Sequence, residues 1–243
     1  MAVVTGAGSG IGRAVARALA AAGFAVALLG RRRQALVETA EGFTGEFMVL
    51  PTDVTDEEQV TAAFDAVSAA WGRVDLLINN AGRFGPHATI DEVAVDEWRR
   101  TVEVNLTGMF LCARAAFAVM RDQDPQGGRI LNNGSISAQV PRPSSVAYAA
   151  SKHGVSGLTR AIALDGRPFR IRCGQIDIGN AASEMTAVMG TGVLQADGST
   201  RVEATFDVRH VADLVVRIAR LPLDVDLPSI TVLAAGMPFL GRG

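Results

Sequence analysis

An α/β fold built on one doubly wound parallel sheet is predicted by two observations. Short apolar, β-branched runs alternate with longer amphipathic or Ala-rich runs, and a glycine-rich loop joins the first run of each kind. The strand candidates are "AVV", "AVALL", "FMVL", "LLI", "RILN", "RIRCGQI" and "SITVLAA", about seven in all. Helix candidates lie at roughly residues 11 to 22, 33 to 42, 57 to 71, 94 to 121, 146 to 165 and 208 to 220. Strands separated by helices pair in parallel through crossovers, with both sheet faces covered. At 243 residues a single domain over the whole chain is expected.

Composition narrows the function classes. Hydrophobic residues make up 49% and charged residues 20%, which suits a soluble globular enzyme. A net charge of −2 leaves no basic surplus for a nucleic-acid backbone or an anionic membrane surface, so neither partner is expected. Cys112 and Cys173 belong to no C-x-x-C pair, and His87, His153 and His210 are scattered. No metal site or disulfide is expected, and a cytoplasmic setting fits. The N-terminal "MAVVTGAGSGIG" has no basic region and no cleavable apolar segment, so export is not expected. The most apolar stretch, residues 18 to 30, is interrupted by Gly23 and falls short of the ~20 residues needed to cross a bilayer.

Along the chain, the first strand runs into "TGAGSGIG", with Gly6, Gly8, Gly10 and Gly12 ahead of a helix beginning near Ile11. Glycine is required where a chain turns sharply and where backbone approaches a pyrophosphate, and a helix N-terminus offers free N–H groups to the phosphates. Gly6, Ser9, Gly10, Ile11 and Gly12 are therefore the expected phosphate contacts of a Rossmann-type dinucleotide site.

The second strand ends at Gly30, where an acidic residue would take the ribose hydroxyls, and Arg31, Arg32 and Arg33 follow. Guanidinium groups favour a 2′-phosphate, so NADP is expected over NAD, which stays possible. After the third strand Asp53 is placed to accept from the adenine amino group and Val54 to cover the ring; Asp53 as a helix cap is the alternative. After the fourth, Asn79 to Gly82 supply side-chain amides that tie strand ends together, with Asn80, Ala81 and Gly82 beside the cofactor.

Tyr148 is the only tyrosine, and Lys152 stands four residues on, one helical turn away on the same face. An adjacent ammonium and a cationic nicotinamide both favour phenolate, so the pair is expected to bring the phenol toward ~7 at a cost of about 4 kcal/mol. Such a group passes a proton between itself and a carbonyl or alcohol oxygen. Ser135, just past "RILN", is the candidate donor to that oxygen, with Ser137 its competitor.

Taken together, these residues resemble the classical short-chain dehydrogenase/reductase family over nearly the whole chain. The T-G-x-x-x-G-x-G loop matches at Thr5, Gly6, Gly10 and Gly12, N-N-A-G at Asn79 to Gly82, and Y-x-x-x-K at Tyr148 and Lys152. The resemblance implies that Ser135 is the catalytic serine, that Lys152 also binds the nicotinamide ribose, and that Asn105 in "VEVNLTG" helps hold a water in a proton relay. Where the family has Pro-Gly and then a threonine, this chain has Ile178, Gly179 and Ser183, with Ala181 between, which leaves nicotinamide placement least secure. The resemblance also implies dimer and tetramer contacts through the helices at 94 to 121 and 146 to 165, so a homo-oligomer is expected.

The expected activity is hydride transfer between NADP(H) and a small carbonyl or alcohol substrate. A non-catalytic dinucleotide sensor on the same fold is the alternative class. Residues 180 to 205 mix Met, Gly, Ser and Thr without periodicity, and two readings stand: a flexible lid over the pocket or a surface insertion. Met185, Met189, Val193 and Leu194 suggest an apolar substrate-facing surface. The tail "MPFLGRG" packs across a subunit boundary or trails in solvent.

Overall fold

In the computed structural model, which describes residues 1 to 184, 186 and 192 to 239, seven parallel strands form the central sheet. They are β1 (Ala2–Thr5), β2 (Val26–Gly30), β3 (Phe47–Pro51), β4 (Leu76–Asn79), β5 (Gly128–Asn133), β6 (Ile171–Gly179) and β7 (Ser229–Leu233). Their spatial order is β7-β6-β5-β4-β1-β2-β3. The order reverses between β1 and β4, and in such sheets a ligand crevice opens beyond the strand ends at that point.

Alternation of side chains along each strand feeds two cores. Ala2, Val4, Val26 and Leu28 face one side, where they meet Val15 and Leu19 of α1 (Gly10–Ala21) and Val211, Val215 and Ile218 of α7 (Arg209–Ala219). Val3, Ala27 and Leu29 face the other, against Val60, Phe64 and Val67 of α3 (Glu57–Trp71) and Cys112, Ala116 and Met120 of α5 (Gly108–Asp122). A period of two that buries both sets forces helices onto both faces. Leu28 is fully buried, and its replacement by Ala would cost about 2–5 kcal/mol.

The long helix expected at 94 to 121 is not uniform. It runs as α4 (Val95–Val102), a π-helical turn over Glu103–Thr107, and α5. By length and composition Val95–Asp122 would pass for a membrane span, but Met109, Cys112, Ala113, Ala116 and Met120 are buried in the fold. The opposite face exposes Phe110 at 47%. The remaining helices are α2 (Arg33–Ala40) and α6 (Val146–Asp165).

Residues 180 to 205 hold regular structure where they are described. Ala181–Ala182 pairs with Phe206–Asp207, and Val193–Leu194 forms an antiparallel ribbon with Thr200–Arg201. Met185, Met189 and the tail from residue 240 lie outside the described residues.

Candidate active site

A cleft of about 630 Å³ opens at the C-terminal ends of β1, β4, β5 and β6. Its inner wall is the glycine loop. Gly6 and Gly10 have φ of +65° and +51°, a backbone region costly for residues bearing a Cβ. A Cβ on Gly12 would collide with the Gly6 carbonyl oxygen and with Asn80 Nδ2. Ser9, at the N-cap of α1, makes no side-chain cap hydrogen bond, and no acidic residue stands in the first turn. Ser9, Gly10 and Ile11 line the cleft, so the free N–H groups and positive dipole end of α1 meet it uncapped. That suits a phosphate group.

Neighbouring strand ends are tied as the Asn motif suggested. Thr5 Oγ1 accepts from the N–H of Asn80 and of Ala81, each at 2.9 Å. Asn80 Nδ2 donates to the Thr5 carbonyl at 3.0 Å, and Asn133 Nδ2 to Asn80 Oδ1 at 2.8 Å. Asn79 is buried, donating to the Met109 carbonyl at 2.7 Å. Asn80, Ala81 and Gly82 line the cleft.

Ser135, Tyr148 and Lys152 meet in the same cleft. Ser135 caps a short 3-10 turn, Ile136–Ala138, with Oγ accepting from the Ser137 N–H at 3.1 Å. Its side chain also bears on the Tyr148 phenol, pulling that group's pKa downward. Ser137 is buried and lines the cleft, but it bonds Ser135 through its backbone N–H, and the Ser135 side chain is the one that bears on the phenol. Phe84 packs edge-on to the Tyr148 ring with centroids 4.9 Å apart.

Lys152 Nζ lies 5.7 Å from the Tyr148 ring centroid and donates to the Asn133 carbonyl at 2.7 Å. Burial pushes this amine down to about 8, against an opposing pull from Asp177. The phenol, however, is raised rather than lowered. Burial is the main cause and the Asp177 charge adds to it, while the Ser135 side chain opposes. The expected depression by Lys152 is therefore absent in the chain alone.

Asn105 sits in the π-turn, fully buried. Its Oδ1 accepts from the Arg83 N–H at 2.8 Å, and its Nδ2 donates to the Arg83 carbonyl at 2.9 Å and to Ser151 Oγ at 3.1 Å. The side chain clamps the backbone after Gly82 to α6, so a relay water would have to use other atoms. A Cβ on Gly82 would stand 3.3 Å from Asn105 Oδ1 and 4.0 Å from Lys152 Nζ, which puts all three in one cluster.

The outer cofactor residues stand at the ends of β2 and β3, outside the enclosed cleft. Arg31, Arg32 and Arg33 are exposed and form no ion pair among the described residues. Asp53 Oδ1 holds its own turn by accepting from the N–H and Oγ1 of Thr55 at 3.1 and 2.8 Å. Val54 differs from expectation. It is buried in the core, against the site where a Cβ on Gly108 would clash, so its side chain covers α5 rather than an adenine ring.

After β5 and β6 the walls are less regular. Without a proline at 178, β6 runs on in register with β7, Ile178 opposite Val232 and Gly179 opposite Leu233. Ile178, Ala181 and Ser183 line the cleft, while Gly179 lies beneath, where a Cβ would meet Met237 and Ile136. A Cβ on Gly10 would touch Ser183 at 3.4 Å, which brings Ser183 over the glycine loop. Thr186 Oγ1 accepts from the Ser183 N–H at 2.8 Å, a hydroxyl that sequence reasoning passed over.

Arg142, also overlooked, lines the cleft and forms a two-pronged ion pair with Glu203, both contacts at 2.5 Å. Asn180 Nδ2 and Gln195 Nε2 add hydrogen bonds to Glu203 at 2.8 and 3.0 Å. This buried cluster fastens the 193–201 ribbon, whose Val193 and Leu194 line the outer cleft. One sequence signal was also missed: Lys152 is the only lysine in the chain, the other 22 of its 23 cationic residues being arginine. The catalytic-type pair thus uses the sole phenol and the sole amine side chain.

A family model described as short chain dehydrogenase matches residues 1–193. The chain belongs to the short-chain dehydrogenase family. A 3beta-hydroxysteroid dehydrogenase of Mediterraneibacter gnavus is 40% identical over 72% of this chain and 63% of its own length, just under two thirds of that relative. A trans-4-hydroxycyclohexanecarboxylate dehydrogenase of Sinomonas cyclohexanicum is 35% identical over 90% of this chain and 85% of its own length. Among solved structures, a metagenomic short-chain oxidoreductase in complex with NADP superimposes with a TM-score of 0.81 at 27% identity, covering 96% of each chain. The alcohol dehydrogenase of the archaeon Thermococcus sibiricus, complexed with 5-hydroxy-NADP, reaches a TM-score of 0.84 at 24% identity over 98% of this chain and 97% of its own, a likeness of fold. As a member of this oxidoreductase family the short-chain dehydrogenase described here has the expected seven-stranded sheet.

Proposed function

We propose that this short-chain dehydrogenase interconverts a ketone or aldehyde with its alcohol, using NADP(H). The observation that carries the reading is that Ser135, Tyr148 and Lys152, with Lys152 Nζ 5.7 Å from the phenol ring, line one cleft that continues to the uncapped N-terminus of α1. A bound nicotinamide supplies or takes the hydride. Tyr148 gives its phenolic proton to the carbonyl oxygen in reduction and recovers it in oxidation. Ser135 donates to the same oxygen, worth on the order of 10²–10³ in rate when aimed at developing negative charge. In this reading Lys152, anchored on Asn133, holds the nicotinamide ribose hydroxyls; Asn105 holds the backbone of Arg83 and the α6 face on which Lys152 sits.

At neutral pH the chain alone presents a protonated phenol beside an ammonium, a state ready for carbonyl reduction. Oxidation needs phenolate, which a cationic nicotinamide favours. Gly30 in place of a carboxylate, with Arg31 and Arg32 beyond it in no ion pair among the described residues, supports NADP over NAD. Both relatives described above are named for ring alcohols, and the outer cleft is walled by Phe84, Ile136, Val193 and Leu194, which supports a cyclic ketone or secondary alcohol. The 193–201 ribbon acts as the lid of this pocket in our reading, and the exposed face with Phe110 and Leu164 serves self-association.

The test is NADPH oxidation with a panel of cyclic ketones, run beside fluorescence titration of NADPH and NADH. Turnover lost in Tyr148→Phe with NADPH binding kept supports the reading. Tight cofactor binding without turnover in the wild type would favour a non-catalytic sensor.

A further inference from the structure

Beneath the Ser135 turn lies a buried carboxylate that the proposed reaction does not use. Asp177 of β6 is 1% exposed. Its Oδ1 accepts from the Ser135 N–H at 2.9 Å and from Gln175 Nε2 at 2.6 Å, and its Oδ2 from Gln139 Nε2 at 2.9 Å. Among the described residues it forms no ion pair. A Cβ on Gly134 would collide with Asp177 Oδ1 and Gln175 Nε2, so the chain leaves that side chain out to admit the carboxylate. A buried charge held only by neutral donors is costly to keep, and a neutral residue would fill the same space. The cost is met where the field can act on neighbours.

We propose that Asp177 is a positioning residue of this site: its carboxylate fixes the backbone of Ser135, and its charge sets the pH at which Tyr148 and Lys152 give up their protons. The role in turnover rests on the hydride-transfer reading above; the electrostatic role does not. Asp177 is the charged group that bears on both members of the pair, favouring neutral phenol over phenolate and ammonium over amine. The other charged or titratable groups on the cleft are Arg83 and His87 after β4, Arg142 after β5, and Glu184 after β6. Arg83 is paired with Glu97 and Arg142 with Glu203, while His153 on α6 bonds back to the Ala149 carbonyl. In turnover, the Asp177 charge keeps the phenol protonated to higher pH and so biases the site toward reduction.

Because Tyr148 and Lys152 are the sole tyrosine and sole lysine, each is titrated directly in the full chain without any substrate. Phenolate ultraviolet absorbance reports the first, and pH-dependent amine labelling mapped by mass spectrometry reports the second. Asp177→Asn keeps the oxygen that accepts from Ser135, with the Gln139 amide turned over to suit; circular dichroism checks the fold. Both midpoints are expected to fall by roughly half a pH unit or more. The alkaline limb of ketone reduction, measured in a His87→Gln background, should move down with them. Midpoints unmoved in a folded Asp177→Asn protein would overturn the proposal. Asp177→Ser, smaller and neutral, takes its place if the asparagine variant does not fold. Shifted midpoints with no turnover in the wild type would sink the hydride-transfer reading and leave the electrostatic role standing; turnover with unshifted midpoints would do the reverse.

Discussion

Lys152 gives its short hydrogen bond to the Asn133 carbonyl, 2.7 Å away at the end of β5, rather than to the phenol one turn before it. The ammonium is thus tethered to the sheet, and its distance to the Tyr148 ring is set by β5 and not by helical spacing alone. Burial that lowers the amine to about 8 means that the folded chain carries a strained ammonium at neutral pH.

A stability effect follows, with a definite sign. The folded amine at about 8 lies below its ordinary 10.5, so between those values the unfolded chain binds more protons and folding stability rises with pH. Relative to Lys152→Met, the cofactor-free wild type should gain about 3 kcal/mol on going from pH 8 to 10.5. Urea unfolding of both proteins at several pH values checks this. A difference that stays flat across the window would show that the amine is not held down.

The proposed NADP preference rests on the end of β2. Arg31→Ala/Arg32→Ala should raise the Kd for NADPH roughly tenfold to a hundredfold, about 1.4 kcal/mol per tenfold, and leave NADH nearly unchanged. Gly30→Asp should shift preference toward NADH, since a Cβ there meets backbone no nearer than Ala7 N at 4.0 Å, its tightest contact being Leu36 Cδ2 at 3.3 Å. Fluorescence titration with both reduced cofactors decides it, and strong NADH preference in the wild type would count against the arginine argument.

The Arg142–Glu203 pair fastens the ribbon over the cleft. Burial works against the Glu203 charge, but hydrogen bonds from Arg142, Gln195 and Asn180 outweigh it and hold the carboxyl at about 2. The lowered value contributes stability above pH 4.5 that is lost as pH falls toward 2, on the order of 2–3 kcal/mol. Glu203→Gln should lack this acid-sensitive component. Its 193–201 ribbon should also exchange amide hydrogens faster than the wild type at pH 7, with the central sheet unaffected.

The parts of the molecule legible from sequence are those governed by local rules. Alternation along "AVALL" and its neighbours located all seven strands of the central sheet, the glycine loop announced a helix N-terminus facing the cleft, and the four-residue interval set Lys152 beside Tyr148. What escaped depends on distant partners. Asp177 draws its meaning from Gln139 and Ser135, about forty residues earlier, and Arg142 meets Glu203 across 61 residues. Val54 turned inward because Gly108, on another element, leaves it room. That the Tyr148 phenol is raised in the cofactor-free chain was not legible, because spacing shows a neighbouring charge but not burial, and burial dominates here.

Exchange of one phenolic oxygen tests the central claim most directly. In Tyr148→Phe the cleft loses only the proposed proton donor, so NADPH should bind within about twofold of wild type while ketone reduction falls by about 10²–10⁴. A Tyr148→Phe protein that reduces the same ketone at wild-type rate would contradict the account.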